Sequence, residues 1–205
     1  MLKFETDKTA LVIVDLQNDF VRIGAALEVA DARKTIPVAQ KLIAFARKKN
    51  MPIVFTKFVA GPKRTLLWNW SPQIKEDSCC FRNFKRYYLE EGKELEVTDI
   101  ISELKPEPHD YIIEKYGYSS FRNTALQDIL AAENRDSIIV LGTVTQICVE
   151  DTVHDAFHLG IKTLVAKDGV SSFDSQLHDA AIKNFEMKYA AVADSDSIIK
   201  MMSEN

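Results

Sequence analysis

Short runs of large apolar, mostly β-branched residues recur along this chain, separated by stretches with helical spacing. Thr9, Ala10, Leu11, Val12, Ile13 and Val14 form the first run, and Asp15 closes it. Pro52-Ile53-Val54-Phe55-Thr56 is the second. Asp110-Tyr111-Ile112-Ile113-Glu114 is the third, closed by Lys115. Ile138, Ile139, Val140 and Leu141 form the fourth, ended by Gly142 and Thr143. Ile161 to Ala166 and the short Ala190-Ala191-Val192 complete the set, the former ending near Asp168. Unbroken apolar runs of this length suit strands buried on both faces, as in a parallel sheet.

The intervening segments are helical. Thr35 caps a helix with Pro37 in its first turn and Val38, Leu42, Ile43, Phe45 and Ala46 on one face. Lys48, Lys49 and Asn50 end it. Residues 24–33 read as a loop, and residues 98–104 as a short helix stopped by Pro106 and Pro108. Asn123 or Thr124 starts a helix carrying Leu126, Ile129 and Leu130. Cys148 opens another, with Val149, Val153, Ala156 and Phe157 in phase and Gly160 as its stop. Residues 174–185 form one more, with Leu177, Ala181 and Phe185 on a face. Six strands alternating with at least four helices specify a three-layer α/β/α sandwich with a six-stranded, mainly parallel sheet and right-handed crossovers. A chain of 205 residues is the size of one such domain, spanning 1–205.

Composition narrows the class. The chain is 46% hydrophobic and 27% charged, as expected of an ordinary soluble domain. A formal net charge of -4 argues against nucleic acid or an anionic membrane as partner. No apolar run approaches a membrane span, and Met1 to Asp7 lacks the apolar core of a secretory signal. The three cysteines, two of them adjacent at Cys79 and Cys80, do not make a disulfide framework, which fits a cytoplasmic setting. The seven glycines are scattered, with no phosphate-binding loop among them.

Three reactive side chains mark the ends of apolar runs. Asp15 follows the first, Lys115 closes the third, and Cys148 opens the helix after the fourth. In a parallel sheet these ends share one edge, the edge that carries ligand sites in open α/β folds. A thiol at a helix start is a candidate nucleophile, a carboxylate can take its proton, and an ammonium favours the charged forms of both. Taken singly, each has an ordinary structural role; all three at strand ends point to a nucleophilic cysteine hydrolase. From residue 59 to about 96 the periodicity fails, and Trp68, Trp70, Phe81, Phe84, Tyr87 and Tyr88 crowd an irregular stretch. These aromatics either wall a pocket or pack against a second subunit.

Three segments carry a family resemblance: Val12 to Phe20, with Asp15-Leu16-Gln17-Asn18-Asp19 at its centre; Ile113 to Phe121, with Lys115 and Tyr116-Gly117-Tyr118-Ser119-Ser120; and Gly142 to Thr152, with Cys148. In this order they make the chain resemble the isochorismatase-like cysteine hydrolases over nearly its whole length, from Thr9 to about Val192. The resemblance implies a Rossmann-like six-stranded parallel sheet between helices and a catalytic Asp15, Lys115 and Cys148 triad. It also implies a cis Thr143–Val144 peptide, an oxyanion hole from the Val144 and Cys148 N–H groups, a thioester intermediate, and a homodimer or homotetramer. No cofactor is implied.

Where the metal-dependent nicotinamidase branch carries Asp-x-His after the second strand, this chain has Thr56-Lys57-Phe58, so no catalytic metal is expected. The cysteine favours C–N hydrolysis of a small amide, ureido or carbamoyl compound over vinyl-ether cleavage of the isochorismatase type, which stays as an alternative. So does a non-catalytic or redox protein on the same fold, using Cys148 with Cys79 or Cys80. Phe20, Trp68, Trp70, Tyr118 and Phe121 are the candidate substrate contacts. His154 and His158 lie four apart on a helix, as in some zinc sites, but Asp155 stands where those sites carry Glu. A solvated helix face is the simpler reading.

Overall fold

The computed structural model describes residues 3–60 and 79–204. Six parallel strands form one sheet: β1 (Thr9–Val14), β2 (Ile53–Phe58), β5 (Tyr111–Lys115), β6 (Ser137–Thr143), β7 (Lys162–Ser171) and β8 (Ala191–Ala193). Their spatial order is β5-β2-β1-β6-β7-β8, and all five neighbouring pairs are parallel. The two central strands, β1 and β6, are buried along their full length, as the unbroken apolar runs require.

Alternate residues of these strands feed two cores. Leu11, Ile13, Ile139 and Leu141 face α2 (Ala32–Lys48) and α6 (Ser195–Ser203), where Leu42, Ala46, Ile198 and Met202 meet them. Ala10, Val12, Val14, Ile138 and Val140 face the other way. They pack on Leu126 and Leu130 of α3 (Leu126–Ala132), Val153 and Ala156 of α4 (Glu150–His158), and Ala181 of α5 (Ser175–Asn184). This is the three-layer α/β/α sandwich, and the period-two alternation of the strands is what divides it. No helix among the described residues is long and apolar enough to cross a membrane.

Several local expectations are corrected. Helix α2 begins at Ala32, so Pro37 lies inside it; Thr35 does not cap the helix but donates its hydroxyl to the Ala32 carbonyl at 2.8 Å. Residues 98–104 hold only a 3₁₀ turn at Ser102–Leu104. The stretch before it turns and then bridges residues 16–18, with the Ile101 N–H donating to Leu16 O and the Asn18 N–H to Asp99 O, so its backbone is already committed. Strand β7 continues to Ser171 through an irregularity opposite Val140 and Gly142. In α5, Ala181 and Phe185 are buried but Leu177 is half exposed, so only the later part of that face meets the sheet.

The irregular stretch contains a separate antiparallel hairpin, β3 (Lys85–Tyr88) and β4 (Lys93–Glu96), turned at Gly92 with φ +62°. One of its four cross-strand pairs joins opposite charges, Lys85 with Glu96, and only Tyr88 is buried; no apolar alternation announces it. Helix α6 follows Asp194, whose carboxylate accepts the Ser197 N–H at 2.8 Å. It lies beyond the last run read from the sequence.

Candidate active site

At the carboxyl edge of the sheet β1, β5 and β6 end side by side with β2, and their last residues converge. Asp15, just after β1, has φ +50°, a conformation few non-glycine residues adopt. The turn aims its carboxylate across the top of β2: the Asp15 N–H donates to Thr56 Oγ1 at 3.2 Å, and the Thr56 hydroxyl donates to Asp15 Oδ1 at 2.6 Å. The other oxygen, Oδ2, lies 2.7 Å from Lys115 Nζ. Both side chains are fully buried. Lys115 Nζ also donates to the Gly117 carbonyl at 3.2 Å and sits 5.2 Å from the centre of the Phe58 ring. The ammonium is thus held by a carboxylate, a carbonyl and an aromatic face.

Cys148 completes the group. Its thiol lies beside the Asp15 carboxylate and the Lys115 ammonium, and both act on it electrostatically. Cys148 lies in a wide π turn, Thr145–Val149, that precedes α4, rather than at the first residue of an α-helix. The carbonyl of Val144 accepts the N–H groups of Ile147 (3.0 Å) and Val149 (3.2 Å), and the Thr143–Val144 peptide is cis. Thr152 fixes the turn from behind: its hydroxyl donates to Cys148 O at 2.6 Å and accepts the Ser120 N–H at 3.0 Å. That tie fastens the loop after β5 to α4.

Burial raises the Cys148 thiol well above its ordinary range; Lys115 pulls it down, Asp15 pushes it up, and the net is upward. The resting sulfur therefore keeps its proton, pointed at a carboxylate. Burial works against the Lys115 charge too, but Asp15 and Cys148 outweigh it and the ammonium is held.

Below the mouth of this edge lies a cavity of about 450 Å³, within the range of small-molecule sites. Cys148 and Val144 line it, with Phe20, Phe58, Tyr118 and Ile147. The rings of Phe20, Phe58 and Tyr118 form a tilted row, 6.5 Å and 5.9 Å between successive centroids. Of the candidate contacts, Phe20 and Tyr118 thus line the cavity. Phe121 is buried in the core with Leu126 and Leu130 and does not line it. Trp68 and Trp70 lie outside the described residues.

Two motif residues act as fasteners. Gln17 Nε2 donates to Phe58 O (3.0 Å) and Thr98 O (2.9 Å), while its Oε1 accepts the Phe58 N–H at 2.7 Å. Buried Asp19 accepts from Cys80 N–H (2.9 Å), Arg86 Nε (3.0 Å) and the Tyr88 hydroxyl (2.9 Å). It therefore ties the hairpin and the Cys79–Cys80 pair to the short helix α1 (Asn18–Val21) that carries Phe20. Phe58, Ile147, Leu27 and Phe173 are cavity residues that pattern reading did not single out. Phe58 alone left a signal, since it closes β2 at the edge that holds Asp15. None of the three cysteines is in a disulfide, and Cys79 reaches the same cavity as Cys148.

His154 stands 3.8 Å from Glu150 and packs on Tyr189, while the His158 ring packs against Phe157. Among the described residues, no three His, Cys, Asp or Glu side chains cluster as a metal site would require.

This architecture has close counterparts. The solved structure of a cysteine hydrolase from Pseudomonas syringae pv. phaseolicola superposes with a TM-score of 0.85, at 23% identity, covering 100% of this chain and 96% of that one. N-carbamoylsarcosine amidase from Thermoplasma acidophilum superposes at 0.73, with 29% identity, over 92% of this chain and 97% of that one. The ureidoacrylate amidohydrolase RutB of Acinetobacter baylyi is 27% identical over 100% of this chain and 87% of its own length. RutB of Cronobacter turicensis is 30% identical over 94% of this chain and 88% of its own length. The family model for the isochorismatase domain matches residues 9–197, from the first residue of β1 into α6. With the sheet, its reactive edge and that match in agreement, the chain belongs to the isochorismatase family and is a hydrolase.

Proposed function

We propose that this protein hydrolyses a C–N bond of a small amide, ureido or carbamoyl compound through a thioester on Cys148. The observation that carries the reading is the contact of the Cys148 thiol with Asp15 and Lys115 at the wall of the cavity. Relatives named for ureidoacrylate and N-carbamoylsarcosine cleavage support the bond type.

The geometry suggests the order of events. As the sulfur attacks the carbonyl carbon, its proton passes to the neighbouring Asp15 carboxylate. Lys115 stays protonated and offsets the charge that moves between sulfur and carboxylate. The N–H groups of Val144 and Cys148 receive the developing oxyanion. Asp15 returns the proton to the leaving nitrogen. Water then enters, Asp15 takes its proton, and hydroxide attack on the thioester releases the acid and restores the thiol. The raised thiol pKa fits this cycle, because sulfur need only become anionic as substrate charge develops.

Ammonia release from a panel of small amides and ureido acids, measured for the wild type and Cys148→Ala side by side, tests the reading. Release by the wild type and its loss by roughly 10⁴-fold or more in the variant is the expected result. Equal release by both, or cleavage of a vinyl ether with no amide turned over, would overturn it.

A further inference from the structure

We infer that the cavity selects uncharged amides bearing an apolar group over amides and ureido compounds bearing a carboxylate. The chemistry rests on the reading of Cys148 just given; the binding preference stands on the walls alone. Phe20, Phe58, Tyr118 and Ile147 form the interior, and Leu27 and Phe173 continue the apolar lining outward. These two outer residues are 40% and 63% exposed, so the apolar surface extends to solvent and is left for a ligand to cover.

Charge points the same way. Among the described lining residues the one ionised side chain is Glu28, a carboxylate. Its Oε1 is paired with Arg33 at 2.8 Å and its Oε2 accepts the Gly24 N–H at 2.9 Å. Among the described residues, two nearby cations are engaged: Arg33 spans Glu28 and the Val21 carbonyl, and Lys115 is sealed between Asp15, Gly117 and the Phe58 ring. A substrate carboxylate entering here would lose its hydration among aromatic rings and meet two cations already paired, Arg33 with Glu28 and Lys115 with Asp15. A neutral amide with an aryl or branched alkyl group would lose nothing comparable and would bury apolar area.

The reaction balances for such a substrate. The Sγ–C bond forms as the C–N bond breaks, the thiol proton leaves on nitrogen through Asp15, and ammonia departs. Water then adds to the thioester carbon, the Sγ–C bond breaks, and a water proton returns to sulfur. The product is a carboxylic acid, ionised at neutral pH, so the walls that admit the neutral amide disfavour its product.

Calorimetric titration of Cys148→Ala with benzamide and with its para-carboxylate analogue separates the binding preference from catalysis. We expect benzamide to bind at least tenfold tighter. Leu27→Arg, at a position that is 40% exposed, should narrow that ratio by about tenfold in the same background. Equal or tighter binding of the carboxylate analogue, no binding of benzamide, or a ratio unmoved by Leu27→Arg would overturn the inference. Retention of the benzamide preference with no ammonia released by the wild type would instead overturn the nucleophilic role of Cys148 and leave the binding preference standing.

Discussion

Lys115 Nζ and Asp15 Oδ2 lie 2.7 Å apart with neither side chain reaching solvent. A buried ion pair is a poor source of stability but a strong constraint: removing one partner strands the other charge in the core. Lys115→Met should therefore destabilise the fold by about 3–5 kcal/mol, as should Asp15→Leu, whereas the double variant should recover most of the loss. Urea denaturation of the four proteins closes the double-mutant cycle. Additive losses would mean that the pair is not coupled.

The buried thiols make the fold sensitive to alkali. Burial raises Cys148, and it raises Cys80 still within a fully enclosed site where Asp19 adds to the effect. In the unfolded chain a thiol ionises near about 8.5, while the folded state keeps its proton, so the unfolded state binds fewer protons above that pH. Stability is then fully present below about pH 8.5 and falls as pH rises, by about 1.4 kcal/mol per pH unit for each thiol. Tyr118 and Tyr88, also raised chiefly by burial, add the same sign at higher pH. Lys115 follows the same rule: its folded value is raised, so its contribution is fully present below the unfolded lysine pKa and is lost as pH rises from there through the folded value. Denaturation midpoints from pH 7 to 10 should slope downward, and more shallowly in Cys148→Ala. A flat profile would contradict the assigned protonation.

Gly142 admits no side chain. It has φ +123°, and a Cβ there would fall 2.0 Å from the Val14 carbonyl oxygen on the neighbouring central strand. The clash is with backbone, so Gly142→Ala should cost more than about 3 kcal/mol and displace the adjoining Thr143–Val144 segment. Thermal denaturation, with Gly169→Ala as a companion whose nearest contacts are 3.1–3.3 Å, would show whether β6 tolerates it.

Asp19 holds the cavity wall without touching the reactive group. Besides Cys80, Arg86 and Tyr88, its carbonyl accepts the Leu27 N–H at 3.3 Å, so both sides of the mouth depend on it. Asp19→Asn keeps the volume but loses charge and acceptor capacity. We expect a rise in KM of about tenfold, equivalent to about 1.4 kcal/mol, with a smaller change in kcat. A loss confined to kcat would place Asp19 in the chemistry instead.

The sheet was legible because its signal is local. Strands β1 and β6 are buried on both faces, and no segment other than a strand of a covered sheet satisfies so short and continuous an apolar run. The polar residues that stop these runs, Asp15 and Lys115, were legible as edge residues for the same reason. The β3–β4 hairpin was not, because it pairs charges across a ribbon outside the sheet and buries little beyond Tyr88. Phe121 shows the limit for aromatics: a large ring beside a reactive motif fits a pocket wall and a core equally well, and packing with Leu126 and Leu130 decided for the core.

The sequence by itself thus determined the layer order, the parallel sense of the sheet and the single edge on which Asp15, Lys115 and Cys148 stand, because periodicity and strand length are properties of contiguous residues. Only the tertiary structure decided that a positive-φ turn aims Asp15 over β2 at Lys115 and that Phe58 floors the ammonium. It alone decided that Asp19 braces a predominantly apolar cavity from three directions. Those relations join residues about 40 to 100 positions apart, and their energies come from burial and mutual geometry, which no local pattern encodes.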